Sequence, residues 1–302
     1  MRTPGGFATE TWGAAPDAAA PVMSASVPRR AALEARRAKK ATERAWRFAT
    51  ADLRSLPGLV VVGAQRSGTT SLHSWLTSHP QVARRVAKEV HYFDGAYDRG
   101  ERWYRARFSV ASRGLTQIES SPYMLFHPLA PGRAGHDLPS TTRFVALLRE
   151  PADRALSHYQ LQRRKGRETE TFARAIELEE SRLAGADAVV ARGERSRAHR
   201  LFSYRSRGLY AEQLTRWFAA VGRERILVME SERLFTDPDA PGELLRWLGL
   251  SPMAAPFPAL NATGAPAAED AAVRDELRGS FTAPNEALFD LLGRELWTGV
   301  SP

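Results

Sequence analysis

Four short runs of mostly apolar residues mark the chain: Leu59–Val62, Leu115–Glu119, Arg143–Leu148 and Arg225–Met229. Each is too short for a stable helix and rich in β-branched or aliphatic side chains, so each reads as a strand. Apolar positions at helical spacing follow over Thr69–Ser78, Ala152–Arg164, Tyr210–Val221, Glu243–Leu248 and Glu286–Leu292. Short buried strands alternating with helices predict an α/β fold: a three-layer α/β/α domain around a central parallel sheet. Ligands of such sheets bind at the carboxyl ends of the strands.

Polarity also sets the outer boundaries. Residues 1–28 are rich in Ala, Pro, Gly and Ser, with Trp12 as the one large aromatic besides Phe7, and are expected to be a disordered tail. Residues 29–56 read as a basic helical extension, running from Arg29 through Arg36, Arg37, Lys39 and Lys40 to Trp46 and Phe48. Such a helix is either a solvated appendage packed by Trp46 and Phe48 or a surface for a membrane or partner. Pro57-Gly58 opens the main domain, which takes residues 57–302. Within it, residues 253–272 are Ala/Pro-rich and aperiodic and predict a long loop.

Charge adds little discrimination. The chain of 302 residues carries a net +9, of which +5 lies in residues 1–50 (nine Lys/Arg against four Asp/Glu). A basic balance suits acidic small molecules, nucleic acid or a membrane surface, but equally reflects an Arg-rich, Ala-rich composition. There is no cysteine, which excludes disulfides and thiolate metal sites and fits a reducing compartment. No apolar run approaches the ~20 residues of a membrane span, and the N-terminus lacks the apolar stretch of a secretory signal. A cytoplasmic location is the expectation, which leaves the glycosylation sequon Asn261-Ala262-Thr263 unused.

Candidate chemistry begins where the first strand stops. Val60-Val61-Val62-Gly63 leads into Ala64-Gln65-Arg66-Ser67-Gly68-Thr69-Thr70-Ser71, a polar loop opening a helix. Consecutive backbone N–H groups and a helix N-terminus favour a bound anion. The spacing is almost that of a nucleotide-triphosphate P-loop, but Thr69 stands where that motif has lysine. A cation occurs instead at Arg66, inside the loop.

Arg149 ends the apolar run Arg143–Leu148, Pro151 suits the first turn of the next helix, and Ser157 lies farther along it. Arg149 and Ser157 could converge on a second phosphate, while Arg154 either assists or is a solvated charge. A third segment, Lys88-Glu89-Val90-His91-Tyr92-Phe93-Asp94, places Glu89 and His91 on one face if extended. On spacing alone this is a surface glutamate beside a core histidine. Six arginines between Arg192 and Arg207 read as a solvated loop or as the entrance for an acidic substrate.

Taken together, these motifs resemble the sulfotransferases that use 3′-phosphoadenosine 5′-phosphosulfate (PAPS), most of all the heparan sulfate N- and 3-O-sulfotransferase domains and their bacterial relatives. The likeness spans roughly residues 57–250, and Gly208-x-Tyr210…Leu214-x-x-Trp217 falls in place with the other motifs. The resemblance implies a P-loop-like fold and a donor site made by Gln65, Arg66, Ser67, Gly68, Thr69, Thr70 and Ser71 at the 5′-phosphosulfate. It implies Arg149 and Ser157 at the 3′-phosphate, with Tyr210 beside the nucleotide. Glu89 becomes the general base, Lys88 and Arg66 neutralise the transferred and leaving groups, and His91 is a second choice for the base. The family often has Lys at the position of Arg66, and arginine is the poorer proton donor.

The implied reaction moves a sulfuryl group from PAPS, leaving PAP, to a hydroxyl or amine of a small-molecule or glycan acceptor. It needs no metal, and no nucleic acid is expected as partner. A P-loop nucleotide kinase and a basic polyanion- or nucleic-acid-binding module are the rival readings. Two departures from the animal enzymes stand out. Their disulfide has no counterpart, and their Lys-Gly-Arg cofactor loop falls where Asn261–Asp270 offers no Lys or Arg.

Overall fold

The computed structural model describes residues 27–83, 88–110, 114–260 and 267–297. The expected tail, the sequon and part of the 253–272 loop therefore lie outside the described residues. Residues 1–45 and 46–302 form separate compact units. Helix α1 (Val27–Ala49) begins in the first, and its side chains from Ala31 to Ala45 are exposed. At its end Trp46 and Phe48 stay about half exposed, with the guanidinium groups of Arg54 and Arg102 over their rings.

The main unit is built on four parallel strands, β1 (Leu59–Gly63), β2 (Ile118–Ser120), β3 (Arg143–Leu148) and β4 (Ile226–Glu230), in the order β2-β1-β3-β4. Side chains alternate between the two faces of the sheet. Val60, Val62, Phe144, Ala146, Leu148, Ile226 and Val228 face one core. That core is closed by helices α3 (Ala130–Asp137), α5 (Tyr210–Val221) and α8 (Thr282–Leu292), with Trp217 fully buried. Leu59, Val61, Val145, Leu147 and Met229 face the other, beneath α2 (Thr69–Ser78) and α6 (Ala240–Leu248). The expected three layers follow directly from runs buried on both sides.

Helix α4 (Pro151–Arg164) packs in a smaller cluster with Phe172, Tyr204, Leu277 and Phe281, and α7 (Ala268–Gly279) lies against it. Two expectations need correction. The loop expected over 253–272 ends sooner, because α7 starts at Ala268; its opening alanines and acids carry no large apolar period, and Leu277 is its one buried residue. The strand expected from Leu115 joins the sheet as β2 only from Ile118; Thr116 instead makes an isolated bridge to Val82, and Leu115 itself is 39 % exposed.

The chain runs from β1 outward to β2 and then returns to β3 on the other side of β1. This reversal opens a crevice at the carboxyl ends of β1 and β3. The polar loop follows β1 and Arg149 follows β3, so both anion motifs reach the same edge.

Candidate active site

The loop after β1 is held tightly. Ala64 N donates to Leu147 O at 2.6 Å, fixing its start to β3. Gly68 is the N-cap of α2 in the left-handed region (φ 76°), where no side-chain cap competes for the first helical N–H groups. A Cβ at Gly68 would lie 3.2 Å from the Phe235 ring, so glycine is required by both conformation and space. Arg66 also has a positive φ, as do Glu89 and His91. Three of the four non-glycine residues with this geometry among the described residues thus belong to the expected site, which fits strain held for function.

A cavity of about 420 Å³ opens at the carboxyl edge, lined by Arg66, Gly68, Thr69, Thr70, Arg149 and the β4-end residues Ser231, Glu232 and Phe235, with Ala259 and Leu260 opposite. Arg66 Nε donates to Ser157 Oγ at 2.9 Å, which joins the first anion motif to the second. Burial, and then the charges of Arg164, Arg149 and Arg154, push the Arg66 guanidinium down to about 10. Arg154 is no solvated charge: it is fully buried, gives one N–H to Tyr204 O, and leaves Nε and Nη1 without hydrogen-bond partners among the described residues. Buried Ser67 Oγ also lacks a partner among the described residues. Crowded cations and orphaned donors fit an anionic ligand, since buried polar groups otherwise pair.

Other expected loop residues hold the architecture. Gln65 Oε1 accepts from the buried Arg207, whose other N–H groups serve Ser203 Oγ and the carbonyls of His199 and Arg200. Ser71 is buried, and its Oγ accepts from Leu260 N at 2.9 Å, strapping the 251–260 segment over α2. Tyr210 is buried away from the cavity wall, its hydroxyl donating to Arg149 O at 2.9 Å. It therefore supports Arg149 instead of facing the cavity.

The third segment adjoins the loop: Lys88 Nζ donates to Thr70 Oγ1 at 2.6 Å. His91 lies between two carboxylates, with Nε2 3.0 Å from Glu89 Oε2 and Nδ1 3.0 Å from Asp94 Oδ1. Burial lowers the His91 pKa, but Asp94 and Glu89 together outweigh it and hold the ring at about 9. The hydrogen bond from His91 pushes Glu89 below the usual carboxylate range, against the effect of burial. Arg200 Nη2 also stands 2.8 Å from His91 Nε2. That nitrogen cannot accept from Arg200 while donating to Glu89; the two flanking carboxylates favour the protonated ring.

Beyond His91 is a second cleft of about 610 Å³, lined by Asp94, Tyr123 and His127 and by Arg167, Arg195, Arg197 and Arg200. Part of the arginine run is therefore a cleft wall, while Arg207 is core, stacked over Tyr123 and Phe126. Sequence reasoning missed Ser231, Glu232 and Phe235. Their available signal was their place just past the β4 run, at the ligand edge. No group of three or more His, Asp or Glu side chains suited to a metal ion occurs among the described residues.

A strand–loop–helix turn at the switch point of a parallel sheet defines a P-loop-like α/β domain. The sulfotransferase domain model matches residues 56–252, and the chain belongs to this family. It is similar to mouse heparan sulfate glucosamine 3-O-sulfotransferase 6, with 30 % identity over 198 residues, covering 65 % of this chain and 53 % of that protein. It is also similar to the bovine bifunctional heparan sulfate N-deacetylase/N-sulfotransferase 2, at 30 % identity over 65 % of this chain and 22 % of that protein. The chain thus spans about half, or less, of the length of these relatives. Among solved structures, a sulfotransferase from Alicyclobacillus acidocaldarius superposes with a TM-score of 0.64 at 28 % identity, covering 80 % of this chain and 98 % of that one.

Proposed function

We propose that this protein transfers a sulfuryl group from PAPS to a hydroxyl or amine of an anionic carbohydrate acceptor. The carrying observation is the Arg66–Ser157 hydrogen bond, which puts the loop and the β3–α4 corner around one cation-rich cavity with Lys88, Glu89 and His91 at its neighbouring edge. The residues fit the donor. Loop N–H groups and Arg66 would hold the 5′-phosphosulfate, and Arg149 with Ser157 the 3′-phosphate, leaving the half-exposed Phe235 ring and Leu260 as apolar surface for the base. The second cleft is lined by four arginines, of which Arg200 touches His91, against the carboxylates of Asp94 and Glu194; this cationic excess suits an acceptor carrying carboxylate or sulfate groups. Relatives named for heparan sulfate act on such a polymer, which supports this class.

Bound, the donor supplies an activated sulfuryl group whose bond to the 5′-phosphate breaks as the acceptor oxygen or nitrogen attacks. Glu89, kept ionised by His91, takes the acceptor's proton. Asp94 orients His91 through Nδ1, as a carboxylate commonly orients an imidazole. Arg66 and Lys88 stabilise the negative charge gathering on the leaving phosphate and the moving group. Positioning and charge stabilisation dominate transfers of this kind.

Incubation with PAPS and sulfated or uronic-acid oligosaccharides tests the reading. A product heavier by one sulfonate group is expected from wild type and not from Glu89→Gln, while Glu89→Gln still binds PAP. Undiminished turnover in Glu89→Gln would remove Glu89 as base, and no sulfonated product with any acidic glycan would remove the acceptor class.

A further inference from the structure

Glu232 faces the donor cavity without any role in the reaction proposed above. It lies two residues past the end of β4 and pairs with Arg149, with Oε1 3.8 Å from Arg149 Nε. Its side chain is 43 % exposed along the cavity, yet Oε2 is covered and has no hydrogen-bond partner among the described residues. A carboxylate in a cavity built for phosphate is an electrostatic contradiction. It repels the ligand whenever it is ionised, unless it gives up its charge.

The surroundings favour that loss. From β4, Glu230 adds negative charge, although one of its oxygens accepts from Trp297 N. From α4, Asp153 adds more, tempered by Arg274 and Arg278 across from it. Glu150 is occupied capping Ala152 and Asp153 and pairs with Arg278. Arg66 and Arg149 bring positive charge from the loop and the β3 end, and the Tyr210 phenol lies behind Arg149. On its own element, Arg233 is engaged by Asp237 and Glu243. Burial dominates this balance and raises the Glu232 carboxyl to about 7, against the pull of Arg149.

Resting on the PAPS reading, we propose that Glu232 is a proton-linked stand-in for the donor's 3′-phosphate. Ionised, it pairs with Arg149; on nucleotide binding it takes one proton from solvent and yields Arg149 to the phosphate. Neutral, it becomes a donor with an O–H to offer to the incoming oxygens. Glu232 is thus a positioning and specificity residue, and nucleotide affinity carries a pH dependence that the 3′-phosphate alone would not impose. A phosphate monoester has its second pKa near 6 and is almost fully ionised above about pH 7.

Calorimetric titration with PAP at pH 7 and 8.5, in two buffers of different protonation enthalpy, tests this with wild type and the near-isosteric Glu232→Gln. Wild type is expected to take up about half a proton at pH 7 and most of one at pH 8.5, and to lose roughly tenfold in affinity across that interval. Glu232→Gln is expected to show neither effect and to bind PAP more tightly than wild type at pH 8.5. Zero proton uptake by wild type overturns the proposal whatever the variant does, as do equal pH slopes in the two proteins. Failure of PAP to bind wild type at either pH removes the donor reading and this inference with it; binding with a flat profile removes this inference alone.

Discussion

Arg66 Nε donates to Ser157 Oγ at 2.9 Å, across 91 positions of sequence, and so ties the loop after β1 to the helix after β3. Under the proposed function, the bond joins the two subsites assigned to the donor's phosphates. Ser157→Ala removes the acceptor that orients Arg66 and the hydroxyl offered to a phosphate. A hydrogen bond to a charged group is worth about 1.5–3 kcal/mol, so PAP affinity is expected to fall about 10- to 100-fold. The bond is already made in the free protein, so the melting temperature is expected to fall by several degrees as well. Isothermal titration beside a thermal scan checks both; a large loss of stability with unchanged PAP affinity would assign Ser157 to folding alone.

Under the proposed function, Arg149 is expected to separate the nucleotides by their 3′ groups. Arg149→Ala is expected to weaken PAP about 10- to 100-fold and 5′-AMP by much less, since the loop still holds a 5′-phosphate. Equal losses for both nucleotides would remove Arg149 from the 3′ subsite. Tyr210→Phe should reproduce a fraction of the effect, because it deletes the hydroxyl holding the Arg149 carbonyl while leaving the ring packed.

These relationships were partly legible in the chain. Strands β1 and β3 are runs of Val, Leu and Phe buried on both sides, so hydropathy alone marks them. Arg149 stood out as a charge ending such a run. Edge strand β2 carries Glu119 and Ser120, whose burial comes from tertiary packing, and hydropathy blurred its start. Glu89 could not be told from a surface carboxylate by spacing. Its significance arises from Lys88 meeting Thr70 and from His91 meeting Asp94, two contacts made by folding. Arg207 looked like its five exposed-seeming neighbours in the run, yet it is the one drawn into the core beside Tyr123.

Arg207 gives the sharpest contrast between charge and shape. Its guanidinium serves Gln65, Ser203 and two carbonyls at once, and an ammonium cannot span them. Burial pushes it down to about 9, so its charge is already costly. Arg207→Lys is expected to lower stability by about 2–3 kcal/mol, or roughly 5–10 °C in melting temperature for a domain of this size. Gln65 then loses its anchor, so turnover should fall beyond what instability explains at temperatures where the variant is folded. A melting temperature within a degree of wild type would sink this account.

His91 carries the pH dependence of the free protein. Its folded pKa of about 9 exceeds the ordinary value of 6.5, so the protonated ring is favoured by folding. The stabilisation is fully present below pH 6.5 and is lost as pH rises through about 9. The depressed pKa of Glu89 acts oppositely: its contribution is present above the ordinary carboxylate value and disappears in acid. Between pH 6.5 and 9 only the histidine effect operates within this pair. His91→Asn is the suitable probe, since asparagine tolerates the left-handed backbone found at this position. The variant should be less stable than wild type at pH 6.5, and the difference should shrink towards pH 9 in urea titrations at each pH. A difference independent of pH over that window would mean that His91 is held by packing and not by its charge between Asp94 and Glu89.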